Sequence, residues 1–125
     1  MDEHPNAAMF RKVMESFKDG DFQVFMDWIA DDVEWWQIGS PEPIRGKEAL
    51  AANGQEQMGK WSIKAELHDV VANDDHLIAL SDNTATRDGK ELRYRTAEIH
   101  HIRDGKVTHR WSFSDDTQAI NEFFA

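Results

Sequence analysis

ELRYRTAEIHHIRDGKVTHRWSFSDD, residues 91–116, sets an Asp104-Gly105 pair between two alternating runs rich in β-branched and aromatic residues. That is the strongest short-range signal for a β-hairpin. With two residues in the turn, Arg103 pairs with Lys106 and the register follows behind it: Ile102 opposite Val107, His100 opposite His109, Glu98 opposite Trp111, Thr96 opposite Phe113 and Tyr94 opposite Asp115. One side of this predicted ribbon carries Glu98, His100, His109 and Asp115 among Tyr94, Trp111 and Phe113. Arg95, His101, Arg110 and Ser112 fall on the other side, which is mostly basic and small polar. Large rings suited to burial, mixed with groups that cost several kcal/mol to bury unpaired, describe a pocket wall better than a dry core.

Upstream of the hairpin, Trp61 to Ala72 and His76 to Arg87 alternate, separated by turns at Asn73-Asp74-Asp75 and Asp88-Gly89, so four strands form a meander. The first sixty residues have a different period. Met9, Phe10, Val13, Met14 and Phe17 mark one face of a helix over Asn6–Lys18 that ends at Asp19-Gly20. Asp21 can cap a second helix carrying Phe22, Phe25, Met26 and Ile29 up to Asp31-Asp32. Val33 to Ile38 reads as a strand, Gly39–Gly46 as a Pro- and Gly-bearing loop, and Lys47 to about Met58 as a weaker helix interrupted by Gly54. Ser114-Asp115-Asp116 can cap a final short helix. The fold class is therefore α+β: a curved, largely antiparallel sheet with one face buried under helices, in a single domain over residues 1–125.

Composition narrows the function. A chain of 125 residues with 24 acidic against 14 basic side chains and a formal charge of -10 repels nucleic acid and anionic membrane surfaces. No cysteine is present, which removes disulfides, thiol catalysis and cysteine-based zinc sites and makes a cytoplasmic setting the default. No run approaches the roughly 20 apolar residues of a membrane span. Ile63, Leu67, Ile78 and Leu80 form a candidate apolar outer sheet face, which would invite a homodimer.

Several strings in this order, Gly20-Asp21-Phe22, Ile29-Ala30-Asp31-Asp32-Val33, Ile44-Arg45-Gly46-Lys47-Glu48-Ala49-Leu50 and Asp104-Gly105-Lys106-Val107 followed by Trp111 and Asp115, resemble the cone-shaped nuclear-transport-factor-like superfamily. The nearer resemblance is to its branch of SnoaL-like polyketide cyclases and ketosteroid isomerases. It implies helices and sheet enclosing an internal pocket for a small apolar organic ligand. In the isomerases it matches the catalytic base to Gln37, the oxyanion tyrosine to Val13 and a protonated Asp to Glu98. An amide does not accept a proton at neutral pH, so the usual isomerase constellation is incomplete. The cyclase resemblance matches Lys106, Trp111 and Asp115, and implies an acting histidine at His100 or His101.

The expected catalytic set is thus Asp115 as acid/base, with His100 and Glu98 polarising or protonating a substrate oxygen. Trp111, Tyr94, Phe113, Trp35, Gln37, Val13, Asn83 and His109 are the expected ligand-binding residues. For Asp115 the competing expectation is a helix N-cap; for Glu98 it is an ion pair with a neighbouring His or Arg. His100 and His109, directly opposite in this register, could share a metal, but their spacing is no recognised metal signature, and neither metal nor cofactor is expected. The rival function is a non-catalytic ligand-binding or dimerisation module on the same fold, favoured by Gln37 and Val13.

Overall fold

Four strands dominate the chain because their residues alternate in burial: β3 (Ser62–Ala72), β4 (His76–Arg87), β5 (Lys90–Arg103) and β6 (Lys106–Ser114). They form an antiparallel meander in the computed structural model, which describes residues 3–125. Both tight turns have two residues at positive φ, 51° and 76° at Asp88-Gly89 and 52° and 76° at Asp104-Gly105. This backbone matches the right-handed strand twist and is reached most cheaply by Asp-Gly pairs. The first strand, β1 (Ile29–Trp35), runs parallel to β6, and the two-residue β2 (Ile44–Arg45) pairs with β1, so the sheet order is β2-β1-β6-β5-β4-β3.

The helices cover one face of this sheet. In α1 (Pro5–Lys18), Ala7, Phe10 and Val13 recur at helical spacing and are buried, packing with Trp28, Ile29, Val33, Leu77 and Val107 in one core. The start of α1 is tied to the β3–β4 turn, where Asn6 Nδ2 donates to the Asn73 carbonyl at 3.0 Å. Within that turn Asn73 Oδ1 accepts from the amides of Asp75 and His76, a local mimic of backbone turn bonding. The second helix, α2 (Gln23–Trp28), stops three residues before the expected Asp31-Asp32, and β1 begins at Ile29 instead of Val33. Ile29 and Val33 are both fully buried, and between them the strand slips in register against β6, so Asp31 and Asp32 bulge into solvent. The helix α3 (Lys47–Gln57) buries only Leu50, in keeping with its weak pattern. The final helix, α4 (Thr117–Phe124), is capped by Asp116, whose Oδ1 accepts from the Ala119 amide at 3.0 Å, rather than by Asp115.

One bulge corrects the register expected for the opening hairpin. Arg103↔Lys106 and Ile102↔Val107 hold, but the next pair is His101↔His109, leaving Thr108 as an extra residue on β6. A one-residue slip sends every later side chain to the other face. His100 therefore pairs with Arg110 and Glu98 with Ser112 on the helix-covered face, while His109, Trp111 and Phe113 join His101, Ile99 and Ala97 on the outer face. Phe113 is 55% exposed there. A second bulge, at His68 in β3, corrects the expected outer patch: Leu67 lies opposite the buried Ser81 and packs on the core, Ile63 lies opposite the buried Ala85, and Val71 joins Ile78 and Leu80 outside.

Arg110→Met would leave Glu98 buried alone on the covered face where the bulge brings the two together. Removing one partner of a buried pair typically costs about 3–5 kcal/mol, so urea titration of this variant should show a stability loss of that order or no cooperative transition. An unchanged midpoint would contradict the inward placement of Arg110.

Candidate functional site

The helix-covered face changes character along the strands. At one end Leu77, Ala79 and Val70 close a dry core; at the other, residues of six elements surround a cavity of about 410 Å³. Trp35 comes from β1, Tyr94 from β5, Arg110 from β6, and Trp61 and Ile63 from the start of β3 and the residue before it. Ile120 and Phe124 reach in from α4, and Gln37, Gln57 and Asn121 add amides. Trp61 and Phe124 meet edge to face at 4.9 Å, and Tyr94 stands 6.3 Å from Phe124, so the apolar part of the wall consists of fixed rings. Gly39 has φ +74°, and a Cβ there would fall 2.3 Å from Asn121 Oδ1. Only glycine lets the Gln37–Ser40 loop close over α4 at this point.

Arg110 is the one cation in this wall among the described residues. Its Nε donates to Glu98 Oε1 at 3.0 Å, its Nη2 meets the same oxygen, and its Nη1 donates to the Trp36 carbonyl at 2.9 Å. The guanidinium carbon lies 4.6 Å from the centroid of the Trp35 ring, adding a cation–π contact. The pair is largely buried, with side-chain exposures of 14% and 17%. Burial pushes the Glu98 carboxyl upward, but the charge of Arg110, the proximity of His100 and the Arg110 hydrogen bond together outweigh it and hold Glu98 below the ordinary carboxylate range. The expected alternative of an ion pair is what forms, with a partner the expected register had placed outside.

Behind the pair, His100 is 1% exposed in a box of Phe10, Trp28 and Trp35, ring centroids 5.6, 5.4 and 6.1 Å away. Its Nδ1 has no protein partner. Burial lowers its pKa to about 4, Glu98 pulling it back up and Arg110 pushing it further down, so the ring is neutral at physiological pH. Tyr94 is raised, first by burial and then by Glu98, against a lowering from Arg110; its hydroxyl keeps its proton. The row Ser112–Glu98, with Thr96 beside Ser81, extends this polar floor.

Of the expected site residues, Glu98, His100, Tyr94, Trp35 and Gln37 thus share one region. Asp115 does not: it is exposed, paired with Arg95 at 3.1 Å, and lowered chiefly by that hydrogen bond. His109, Trp111 and Phe113 are outside for the reason given, so His100 and His109 lie on opposite faces and share nothing. On the outer face His109 stacks on Trp111 and meets Glu34 at 3.0 Å. Val13 is a core residue, 1% exposed, because α1 needs it for packing. Asn83 is buried on the inner face but donates to Thr96 Oγ1 at 3.0 Å and is absent from the cavity wall. Sequence reasoning passed over Arg110, Gln57 and Asn121. The available signal for Arg110 was Glu98 itself, a carboxylate facing inward that required a cation within reach.

The neutral, buried imidazole makes the fold acid-sensitive. Its folded pKa lies below the unfolded value, so its contribution is intact above about pH 6.5 and is lost as pH falls toward 4, where the unfolded chain binds a proton that the folded chain refuses. The full loss is about 3 kcal/mol. Chemical denaturation at pH 7 and pH 4.5 should show a smaller decline for His100→Phe than for the parent chain; parallel declines would contradict this assignment.

Among the described residues no helix is long and apolar enough to cross a membrane. No functionally curated protein matches the chain. Among solved structures it is similar to Bal32a from a soil-derived mobile gene cassette, at 27% identity and TM-score 0.81 with 96% of each chain covered. It is also similar to an NTF2-like protein of unknown function from Burkholderia pseudomallei K96243, at 15% identity and TM-score 0.82, covering 96% of this chain and 98% of that one. A protein assigned as a SnoaL-like polyketide cyclase from Jannaschia sp. CCS1 matches at 14% identity and TM-score 0.80, covering 97% and 95%. The last two likenesses establish the NTF2-like, cystatin-like fold alone. The SnoaL-like domain model matches residues 10–110, which span β1, the inner cavity's Tyr94 and Arg110, and the meander as far as the middle of β6; the chain belongs to the SnoaL-like domain family.

Proposed function

We propose that the inner cavity binds a small cyclic compound bearing an acidic carbonyl or enol group and promotes its enolisation, the acid–base chemistry of the SnoaL-type enzymes this fold hosts. The observation that carries the reading is Arg110. Three of its contacts are taken up by Glu98 and the Trp36 carbonyl, which fix the guanidinium while it still borders the cavity. A guanidinium has five N–H groups, so donors remain for a ligand oxygen, and a preorganised cation is worth most where negative charge develops away from water. Tyr94, kept protonated, is a second donor on the same wall. Trp35, Trp61 and Phe124 supply flat apolar surface for a ring.

Among the described residues no ionised side-chain carboxylate borders this cavity, and Gln37 holds the position where the isomerase resemblance would put a base. Proton loss to water then requires a carbon or oxygen acid already acidic on its own, such as a cyclic β-dicarbonyl or a hydroxyquinone. The charge on its oxygen is what Arg110 stabilises, with Glu98 as a positioning residue. Gln37 also favours a second reading, in which the same cavity binds such a compound without turning it over.

Binding of 2-hydroxy-1,4-naphthoquinone, followed by quenching of Trp35 and Trp61 fluorescence, tests the common part. Arg110→Met, combined with Glu98→Gln so that no buried carboxylate is left alone, should weaken binding at least about tenfold, since a hydrogen bond to a charged group contributes about 1.5–3 kcal/mol. Equal affinities would sink both readings. Deuterium uptake at the acidic carbon of 1,3-cyclohexanedione separates the two: acceleration by the parent chain supports catalysis, and binding without acceleration leaves the non-catalytic one.

The outer face also bears on assembly. Val71, Ile78, Leu80 and Phe113 are each 39–56% exposed on β3, β4 and β6, with Ala97 of β5 between Leu80 and Phe113, and we read this patch as the contact with a second copy. Sedimentation should find a dimer that Ile78→Glu converts to monomer without loss of secondary structure; a monomeric parent chain refutes it.

A further inference from the structure

The outer face of the sheet is ordered in rows that run across the strands. Near the β5–β6 turn, His76, His101 and His109 stand side by side on β4, β5 and β6, and the row ends on Glu34 of β1. Ring centroids are 4.7 Å apart for His76 and His101 and 5.7 Å for His101 and His109, and His109 meets Glu34 at 3.0 Å. Two apolar rows follow, Val71-Ile78-Ile99-Trp111 and then Leu80-Ala97-Phe113. The fourth row is Glu66, Asp82 and Arg95, with Asp115 beside Arg95 at 3.1 Å, so three carboxylates stand against one guanidinium. Among the described residues the imidazoles and Glu34 do not form a group that could hold a metal ion, which leaves their protons as the property to explain.

Along β5 the four rows pass through His101, Ile99, Ala97 and Arg95. The histidine and carboxylate rows therefore lie equally far from the middle of the apolar pair, about 10 Å each way at roughly 3.4 Å per residue. Two such faces can stack about a two-fold axis lying between them in either of two ways. An axis along the strands would set carboxylate row on carboxylate row and histidine row on histidine row, a like-charge contact. An axis across the strands exchanges the two ends, which makes the face complementary to itself.

We infer that the second copy binds with its axis across the strands, so that His76 and His109 of each copy lie over Asp82 and Asp115 of the other, and that the dimer tightens as these histidines take up protons. The inference rests on the dimer reading and adds its geometry and its control by pH. The other charges nearby are Asp75 and Arg103 flanking the histidines, Arg45 engaged with Glu34 at 3.4 Å, Asp69 opposite Leu80, and Lys64 and Arg93 one row beyond the carboxylates. In the free chain burial, followed by His76 and His109, holds His101 below the ordinary imidazole range, so the uncompensated row resists protonation. A histidine that gains a carboxylate on association has its pKa raised. Its contribution to the dimer is then present below the ordinary value of about 6.5 and fades as pH climbs through the raised one.

Sedimentation equilibrium at pH 8 and pH 6 tests the pairing, and His100, with its pKa about 4, stays neutral at both. The dimer Kd should fall at least about tenfold at pH 6, a change that several charge pairs at an interface supply together. Asp82→Asn with Asp115→Asn, both exposed side chains, should keep the pH 8 dimer and remove the tightening. A Kd that is unchanged or higher at pH 6, as the axis along the strands requires, overturns the pairing alone, as does a tightening that survives the double substitution. A chain that is monomeric at both pH values overturns the dimer reading and this one with it.

Discussion

A carboxylate on the covered face of a sheet must have a cation within reach, and in this chain that requirement governs the hairpin. Glu98 points toward the helices, and the residue that neutralises it, Arg110, sits on the next strand with the correct parity only because Thr108 is extruded. An isolated buried carboxylate would cost several kcal/mol, far more than one bulge. The same slip has three further effects. It turns His109 and Trp111 outward into the row with His101, puts Arg110 over Trp35, and brings that positive charge near His100, which helps keep the ring neutral.

Stability and site chemistry meet in this small cluster. His100 fills the space between Phe10, Trp28 and Trp35, acting as a ring among rings, yet it borders Glu98 and adjusts that group's charge balance. Arg110 serves the fold through Glu98 and the Trp36 carbonyl, and serves the cavity through whatever N–H groups remain. Because its position is over-determined by four contacts, it needs little rearrangement to meet an oxygen, the condition under which electrostatic stabilisation is most effective. The cavity is held open by the rings of Trp61, Tyr94 and Phe124 on one side and by the close passage of Gly39 over Asn121 on the other.

Much of the architecture was legible where the signal is local. The Asp-Gly turns, the one-sided α1 and the alternation of β4 follow from dihedral preference and burial period within a few residues, and each lies where the spacing placed it. The two-residue β2 could not be read from Ile44-Arg45, since its pairing exists only because Glu34 and Trp35 of β1 lie alongside. The start of β1 was hidden because Ile29 fits a helical repeat with Phe25 and Met26, and only its burial against Val107 makes it a strand. The site divides the same way: Glu98, His100 and Tyr94, all on β5, were located by alternation from one turn, whereas every site assignment on β6 was inverted by the bulge.

The sequence by itself determined the α+β class, the meander, the acidic surface and the choice of Glu98 and His100 as inward-facing ionisable groups, since these depend on periodicity and composition. Only the tertiary structure decided which partner neutralises Glu98, that Asp115 lies in solvent with Arg95, and that Trp35, Tyr94, Arg110 and Phe124 border one cavity. Those outcomes turn on a single extra residue in one strand. Its placement reflects the energy of a buried charge pair formed across strands, and no window of neighbouring residues contains that information.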